Sequence, residues 1–402
     1  VRREICGGCR STNLTEWLDL GSSPLANDYP AQPDLTLKQY SLGLLRCNRC
    51  SLVQSTEIVP DDELWNREYG FYTGGSWQVV EQQRTYALDV LAKHEALARK
   101  LVVEIACNDG TMLKNFKEAG CPTLGVDPAR GPTAVARNTH GLDVIVEQFG
   151  LGIAHEIVSN HGRAGLIIAN NVIAHVADLD DFIGGIGYLL RPEGVAIVEF
   201  QYVGDLVTGN QFDHVYHEHR FFFSLLSLEL ALRRHHLEPV LVKHTSPQGG
   251  SLRVTIAHEG ALAVDASVRQ LRANETWLTE PYCLAGLQGR ADWIRHRLLN
   301  LLYGLKNQRK LVAGYGAPAK SATLLNFCHI GPDLVQYIVD TTPAKQGRYT
   351  PGTNIPIISP ASDSRAPDVY LLLTWNYLHG IRRKEKSFTG EWLVPIPLPE
   401  LI

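Results

Sequence analysis

Leu101-Val102-Val103-Glu104-Ile105-Ala106-Cys107-Asn108-Asp109-Gly110-Thr111-Met112-Leu113 is the stretch that decides the fold. Leu101 to Ile105 reads as a buried strand, Ala106 to Gly110 as a loop of small and polar residues, and a helix is expected from about Thr111. Strand, small-residue loop and helix N-terminus form the opening unit of a Rossmann-like nucleotide site. The spelling ExAxNxG differs from GxGxxG. It has an acid at the strand end, Glu104, and small residues where backbone would approach a ligand closely. Lacking the glycine triplet that packs a pyrophosphate, this unit suits S-adenosylmethionine, an adenosine without phosphates, better than NAD.

The same rhythm continues downstream. Leu124-Gly125-Val126-Asp127 is a second strand ending in an acid, suited to the two hydroxyls of a ribose. A helix at about 132–139, a strand Val144-Ile145-Val146 and a helix at about 151–161 follow. Next come the strand Gly165 to Ala169, the segment Asn170-Asn171-Val172-Ile173-Ala174-His175, another helix, and the strand Gly194 to Phe200 ending at Gln201. Alternation of this kind predicts a doubly wound parallel sheet. Ligands bind beyond the carboxyl ends of such strands, so Glu104, Asp127, Gln148, Asn170, Asn171, His175 and Gln201 are expected around one cleft. Ala106, Asn108 and Gly110 would supply its cofactor loop.

Asp213-His214-Val215-Tyr216-His217-Glu218-His219-Arg220 packs three histidines, two carboxylates and a tyrosine into eight residues. It has too few apolar positions for a core strand. HExxH zinc sites need histidines at i and i+4, whereas His217 and His219 are at i and i+2 and would diverge on a helix. Acid/base chemistry fits better, since histidine titrates nearest neutrality. The competing reading is a solvated polar loop.

The first segment, 1–67, carries Cys6-Gly7-Gly8-Cys9 and Cys47-Asn48-Arg49-Cys50 beside short apolar strands. Two such turns present four thiolates, the shell of a structural zinc. A closed four-cysteine shell leaves no position for catalysis, and the long stretch at about 11–41 is expected to fold over the metal. A bridge, Tyr69 to Trp77, is rich in glycine and tyrosine and reads as a lid or an interdomain linker. A polar helix over about 77–97 follows.

The middle domain is placed at 68–240 and the last at 241–402. The last opens on Gln248-Gly249-Gly250-Ser251 and a strand from Leu252. Helices at about 261–308 follow, then a second strand–glycine loop–helix unit, Leu311 to Lys320, and strands at Val335 to Asp340 and Asp368 to Leu373. Backbone N–H groups at such a turn bind anions. With Tyr315, Lys320, Lys345 and Arg348 this domain could hold a diphosphate. The fold class is thus α/β: a zinc-binding N-terminal domain followed by two Rossmann-like parallel-sheet domains.

Bulk properties narrow the function. The 402 residues carry 38 Lys and Arg against 42 Asp and Glu, a net charge of −4. No broad basic footprint for nucleic acid exists. No run long enough to span a bilayer is visible, and no signal peptide, so membrane association is not expected. Eight cysteines, four in CxxC pairs and four scattered, suit a metal site in the cytoplasm rather than a disulfide framework.

The assembled order resembles the sugar C-methyltransferases that act on nucleotide-linked 4-keto-deoxysugars in antibiotic biosynthesis. The resemblance rests on the paired CxxC motifs, VEIACNDGTML, NNVIAHVADLDDFI, FDHVYHEHRFFFSLLSL, QGGSLR, GYGAPAKSATLLNF and VDTTPAKQGRYTPGTNIPI. It implies a dTDP-linked sugar substrate, with C-3 favoured over C-5 as the methylated carbon. It also implies His219 as the base, Tyr216 and Glu218 as its neighbours, His175 at the same site, and a lid tyrosine, Tyr72 rather than Tyr69. Asn171 and the basic residues named above would contact substrate, and monomer and dimer are equally allowed. Two departures stand out: members usually have His at Gln248, and Gly and Ser at Ala106 and Cys107. An NADPH-dependent ketoreductase, alone or combined with methylation, is the alternative, but no Tyr-xxx-Lys pair sits on a helix beside a strand end.

Overall fold

A computed structural model describes residues 1–34, 36–65, 72–362 and 366–402. Its strands form three sheets.

The N-terminal sheet is antiparallel, with strands Leu14–Ser23, Tyr40–Cys47, Val53–Ser55 and Phe221–Phe222 in that order. The last strand comes from the middle of the chain, immediately after Arg220. Both CxxC turns lie at one end of this sheet. Cys6 Sγ is 3.5 Å from Cys50 Sγ, and Cys9 Sγ is 3.5 Å from Cys47 Sγ. All four sulfurs lie within 4.8 Å of one another. A tetrahedral zinc with bonds of about 2.3 Å holds its sulfurs about 3.8 Å apart, so the cluster fits the ion. The Gly7 N–H donates to Gln54 Oε1 at 3.0 Å, tying the first turn to the Val53–Ser55 strand. The stretch at about 11–41 does not fold over the cysteines as expected. It forms a strand and then crosses to the C-terminal lobe, where the Tyr29 hydroxyl donates to the Ala317 carbonyl at 2.7 Å.

The middle sheet has seven strands in the order Leu237–Thr245, Ser251–His258, Leu190–Gln201, Ala164–Asn170, Val102–Ile105, Thr123–Val126, Val144–Ile145. The last five are parallel, and the first two are antiparallel. The sheet therefore runs past the expected boundary at 240 and is not wholly parallel. The cause is the turn at 246–250, with Gln248, Gly249 and Gly250 all at positive φ. A connection that short makes a hairpin, because a parallel crossover needs a dozen or more residues.

Strand side chains alternate between two cores. Val102, Leu166, Ile168, Val195 and Ile197 pack with Tyr86, Val90, Leu113 and Phe116. Val103, Ile105, Ile167, Ala169, Ala196 and Val198 pack with Ile157, Phe182 and Ile186 on the other face. The helices Trp77–Ala98 and Leu113–Glu118 thus cover one side, and Leu151–His161 and Leu179–Leu189 the other. All strand carboxyl ends of the parallel part point to one edge, as the sequence predicts.

The C-terminal sheet has six strands in the order Ile357–Ile358, Ile338–Val339, Val312–Tyr315, Val369–Leu372, Glu391–Val394, Glu400–Leu401, parallel except for the last. The helix Ala319–Cys328 follows its central strand. Among the described residues no helix is long and apolar enough to cross a membrane.

Because the cysteine turns anchor the strand that pairs with Phe221–Phe222, a metal held there would be coupled to the fold. Purified protein is expected to hold one zinc per chain by elemental analysis. Cys9→Ser should lose it, with a clear drop in melting temperature. A metal-free variant melting like wild type would contradict this.

Candidate active site

The segment Asp213–Arg220 is not a strand but a short 3-10 turn, Phe212–His214, and a loop. It is largely buried: Asp213, His214, Val215, His217, Glu218 and Arg220 are each at most 8% exposed. The reading as a solvated loop is therefore excluded. Burial is possible because all three lobes supply partners. From the N-terminal lobe, Ser41 O pairs with His217 Nε2 at 3.2 Å, Val59 O and Asp61 take the Arg220 guanidinium, and Asn27 Nδ2 donates to Glu218 Oε1 at 2.6 Å. From the middle lobe, His175 Nδ1 lies 2.8 Å from Glu218 O. From the C-terminal lobe, Trp375 Nε1 donates to Asp213 Oδ2 at 2.7 Å and Thr323 Oγ1 to Val215 O at 2.8 Å.

His219 lies at the centre. Its Nδ1 is 2.8 Å from the His214 carbonyl, and its Nε2 is 2.8 Å from the Tyr216 hydroxyl. A carbonyl only accepts, so Nδ1 carries the proton and Nε2 offers a lone pair to the phenol. Tyr216 stacks on the ring at 4.0 Å, and His175 lies 4.9 Å away. Burial, with His175 nearby, pushes His219 down to about 3, so the ring is neutral at physiological pH. His175 is pushed down to about 4, again chiefly by burial. Its Nδ1 proton is committed to Glu218 O, which makes neutral His175 an acceptor at Nε2. A tyrosine hydroxyl is the better donor to a developing oxyanion. Burial also raises the Glu218 carboxyl to about 7, against Asn27 and Lys345, which lower it.

The cofactor loop is also built as a site. Ala106, Asn108 and Gly110 all have positive φ. A Cβ on Gly110 would run into Leu142 and Ala136, so this glycine is required by packing beneath the loop rather than by close approach of a ligand. Cys107 turns down against Gly125 and leaves the cofactor side of the loop free. Asp127 accepts from the Asn108 N–H at 2.9 Å and the Ala129 N–H at 2.8 Å. Glu104 Oε2 is buried without a partner among the described residues, and burial raises this carboxyl well above its ordinary range. An orphaned acid at the strand end, beside Asp127, fits the cationic amino-acid end of S-adenosylmethionine. Asn170 is held by the Tyr86 hydroxyl at 3.4 Å and by Met112 Sδ at 3.2 Å, and Asn171 sits at φ +52. Gln148 is exposed beyond the Val144–Ile145 strand.

Tyr72 lies over this loop, its hydroxyl against the Gly131 backbone, while Thr73 and Gly74 donate to Asn108 and Asp109 at 2.9 and 2.7 Å. Tyr69 lies outside the described residues. Trp65, absent from the sequence reading, packs edge-on to His175 at 6.2 Å.

The predicted phosphate-binding residues are only partly brought together. Tyr315 is turned away into an aromatic cluster with Tyr370 and Trp392, its hydroxyl donating to Glu385 at 2.6 Å. Lys320 is buried over the Trp375 ring and donates to Asn376 at 2.6 Å, and burial pushes it down to about 8. Lys345 donates to Ala317 O at 2.8 Å, and Arg348 to Tyr29 O at 3.0 Å. Lys345 and Arg348 thus secure the Tyr29 crossing between lobes. The sequence reading missed Asn27 and Trp375, and no local motif marks either of them.

Comparison with known proteins follows the same three lobes. Family models cover residues 6–65 as a zinc binding domain, 80–242 as a methyltransferase domain and 246–397 as a C-methyltransferase C-terminal domain. The C-methyltransferase NovU of Streptomyces niveus is 34% identical over 409 aligned residues, covering 98% of this chain and 96% of its own. A ubiquinone biosynthesis O-methyltransferase of Azorhizobium caulinodans is 29% identical over 121 residues, 28% of this chain and 48% of its own. Among solved structures, a SAM-dependent methyltransferase from Anabaena variabilis has 18% identity and a TM-score of 0.36, covering 44% of this chain and 85% of its own. Magnesium protoporphyrin IX methyltransferase from Synechocystis, with bound SAH, has 13% identity and a TM-score of 0.36, covering 48% and 92%. Matched end to end by a relative at that identity, and by three family models in succession, the chain belongs to the S-adenosylmethionine-dependent C-methyltransferases.

Proposed function

We propose that this enzyme methylates a carbon next to the keto group of a dTDP-linked 4-keto-deoxysugar, C-3 in preference to C-5, with His219 as the base. The observation that carries the reading is the orientation of His219. Its Nδ1 proton is committed to the His214 carbonyl, and its Nε2 lone pair points at the Tyr216 hydroxyl. Once the substrate displaces the Tyr216 hydroxyl from Nε2, a neutral imidazole held in this way can take a proton from the carbon that a neighbouring carbonyl acidifies. The oxygen of the resulting enolate needs a donor, and a tyrosine hydroxyl, Tyr216 or the lid residue Tyr72, supplies one. S-adenosylmethionine, when bound, supplies the electrophilic methyl group. Glu104, Asn108, Asp127, Asn170 and Gln148 would hold it, with Ala106 and Gly110 shaping the loop beneath.

On this reading residues 1–67 form the zinc-binding domain, 68–240 with the hairpin strands as far as His258 the cofactor domain, and the rest to 402 the domain that receives the nucleotide. Asn171, Lys320, Lys345 and Arg348 would face the substrate. Lys345 and Arg348 keep donors beyond those spent on Ala317 and Tyr29, which supports a diphosphate there. Tyr315, committed to Glu385, is the weakest of the substrate residues.

The test is mass spectrometry of a panel of dTDP-4-keto-deoxysugars incubated with enzyme and S-adenosylmethionine. A product heavier by one methyl, on a fragment adjacent to the keto carbon, is expected. No gain across the panel would overturn the substrate class.

His219→Ala should lower turnover by about 10²–10⁴-fold, the range of a positioned base, while calorimetric S-adenosylmethionine affinity stays within a factor of about two. A large affinity loss would count against the base assignment.

The buried histidine also predicts a pH signature. His219 has a lower pKa folded than unfolded, so the unfolded chain binds the proton first. Its contribution to stability is full above about pH 6.5 and is lost as pH falls towards 3. Relative to His219→Asn, wild type should therefore lose melting temperature as pH is lowered from 7.5 to 5. A gap independent of pH would contradict the neutral buried ring.

A further inference from the structure

The N-terminal lobe reaches the catalytic loop with one side chain that the metal does not explain. Asn27 lies on the segment that leaves the N-terminal sheet and crosses to the C-terminal lobe at Tyr29. Its Nδ2 donates to Glu218 Oε1 at 2.6 Å, across 191 residues of sequence. Asn27 itself is exposed, whereas Glu218 is 8% exposed. A buried carboxyl thus takes its hydrogen bond from a residue that stands at the solvent-accessible wall.

We infer that Asn27 is a positioning residue for Glu218: its carboxamide N–H fixes Oε1 as an acceptor, so that when the carboxyl is protonated the proton sits on Oε2. An amide N–H can only donate, and a protonated carboxyl would otherwise place its proton on either oxygen. Glu218 adjoins His219 in the chain, and its backbone carbonyl takes the His175 Nδ1 proton. The N-terminal lobe becomes part of the catalytic machinery rather than a detached metal domain. This inference deepens the proposed function, on which Glu218 lies at the sugar.

The charged and titratable groups around Glu218 come from each lobe. Lys345 acts from the C-terminal lobe to favour the carboxylate, His175 lies on the middle lobe, and the Tyr29 phenol lies on the N-terminal segment itself. Burial lowers Lys345, and Asp340 and Glu218, which it also faces, act against that shift. Asn27 adds no charge. Its removal changes the hydrogen bond alone, which makes the effect separable from those of its neighbours.

The experiment reads the Glu218 carboxyl without any sugar. Infrared titration of the whole protein, with Glu218→Gln subtracted to identify the band, gives the midpoint of the protonated carboxyl. Wild type should titrate near 7. Asn27→Ala, and independently the similarly sized Asn27→Leu, should move that midpoint up, because each loses a donor that favours the carboxylate without adding a charge. Circular dichroism melts and zinc content should match wild type. Should the panel above yield a substrate, kcat should fall about tenfold or more in both variants, with KM changed less. An unmoved or lowered midpoint in both variants would overturn the inference even if the methylation reading stands. A raised midpoint with no turnover on any sugar would uphold the geometry and sink the substrate assignment instead.

Discussion

A loop with three histidines, two carboxylates and an arginine can be buried only if most of its polar atoms find partners, and in this protein no single lobe provides enough of them. Ser41, Val59 and Asn27 come from one lobe, His175 from a second, Trp375 and Thr323 from a third. An unpaired buried polar group costs about 1–3 kcal/mol, so withdrawing any lobe would leave several such costs at once. The arrangement of the three lobes follows from this constraint. The strand Phe221–Phe222 adds to it by completing the N-terminal sheet directly after the loop.

The same burial sets the chemistry. Desolvation disfavours charge, so His175 and His219 are held neutral and the Glu218 carboxyl is raised to about 7. In water the order is reversed: a carboxyl is ionised at neutral pH, and a histidine is partly charged. A neutral imidazole with its proton fixed on Nδ1 is a base at Nε2 only. The backbone carbonyl of His214 makes that choice, so the tautomer depends on backbone position and not on another side chain.

Much of this was legible in the sequence. The parallel strands and their carboxyl ends were marked by short apolar runs ending in Glu104, Asp127 and Asn170, and the cysteine cluster by two CxxC turns. The sequence also singled out Asp213 to Arg220 by its density of titratable residues. It could not show that this polar run is buried, because its partners lie up to 191 residues away. Asn27 and Trp375 stand in no motif, and a two-residue strand such as Phe221–Phe222 has no periodicity to read. The domain limit placed at 240 cuts through a strand and its sheet, since a hairpin and a linker look alike in sequence. Lys345 and Arg348 were legible as basic but not as clamps on Tyr29 and Ala317.

The two departures in the cofactor loop carry a similar lesson. Ala106 takes a left-handed conformation in spite of its Cβ, and Cys107 lies beneath the loop against Gly125. The departure at Cys107 therefore alters packing below the loop, and the one at Ala106 places a Cβ on left-handed backbone.

The central claim is that His219 is a neutral base with its lone pair on Nε2. Nitrogen-15 NMR of histidine-labelled protein, with His219→Asn to assign the signal, measures this directly. The account predicts a protonated Nδ1, an unprotonated Nε2 at pH 7 and no titration down to about pH 5. A proton on Nε2, or a midpoint near 6.5, would contradict it.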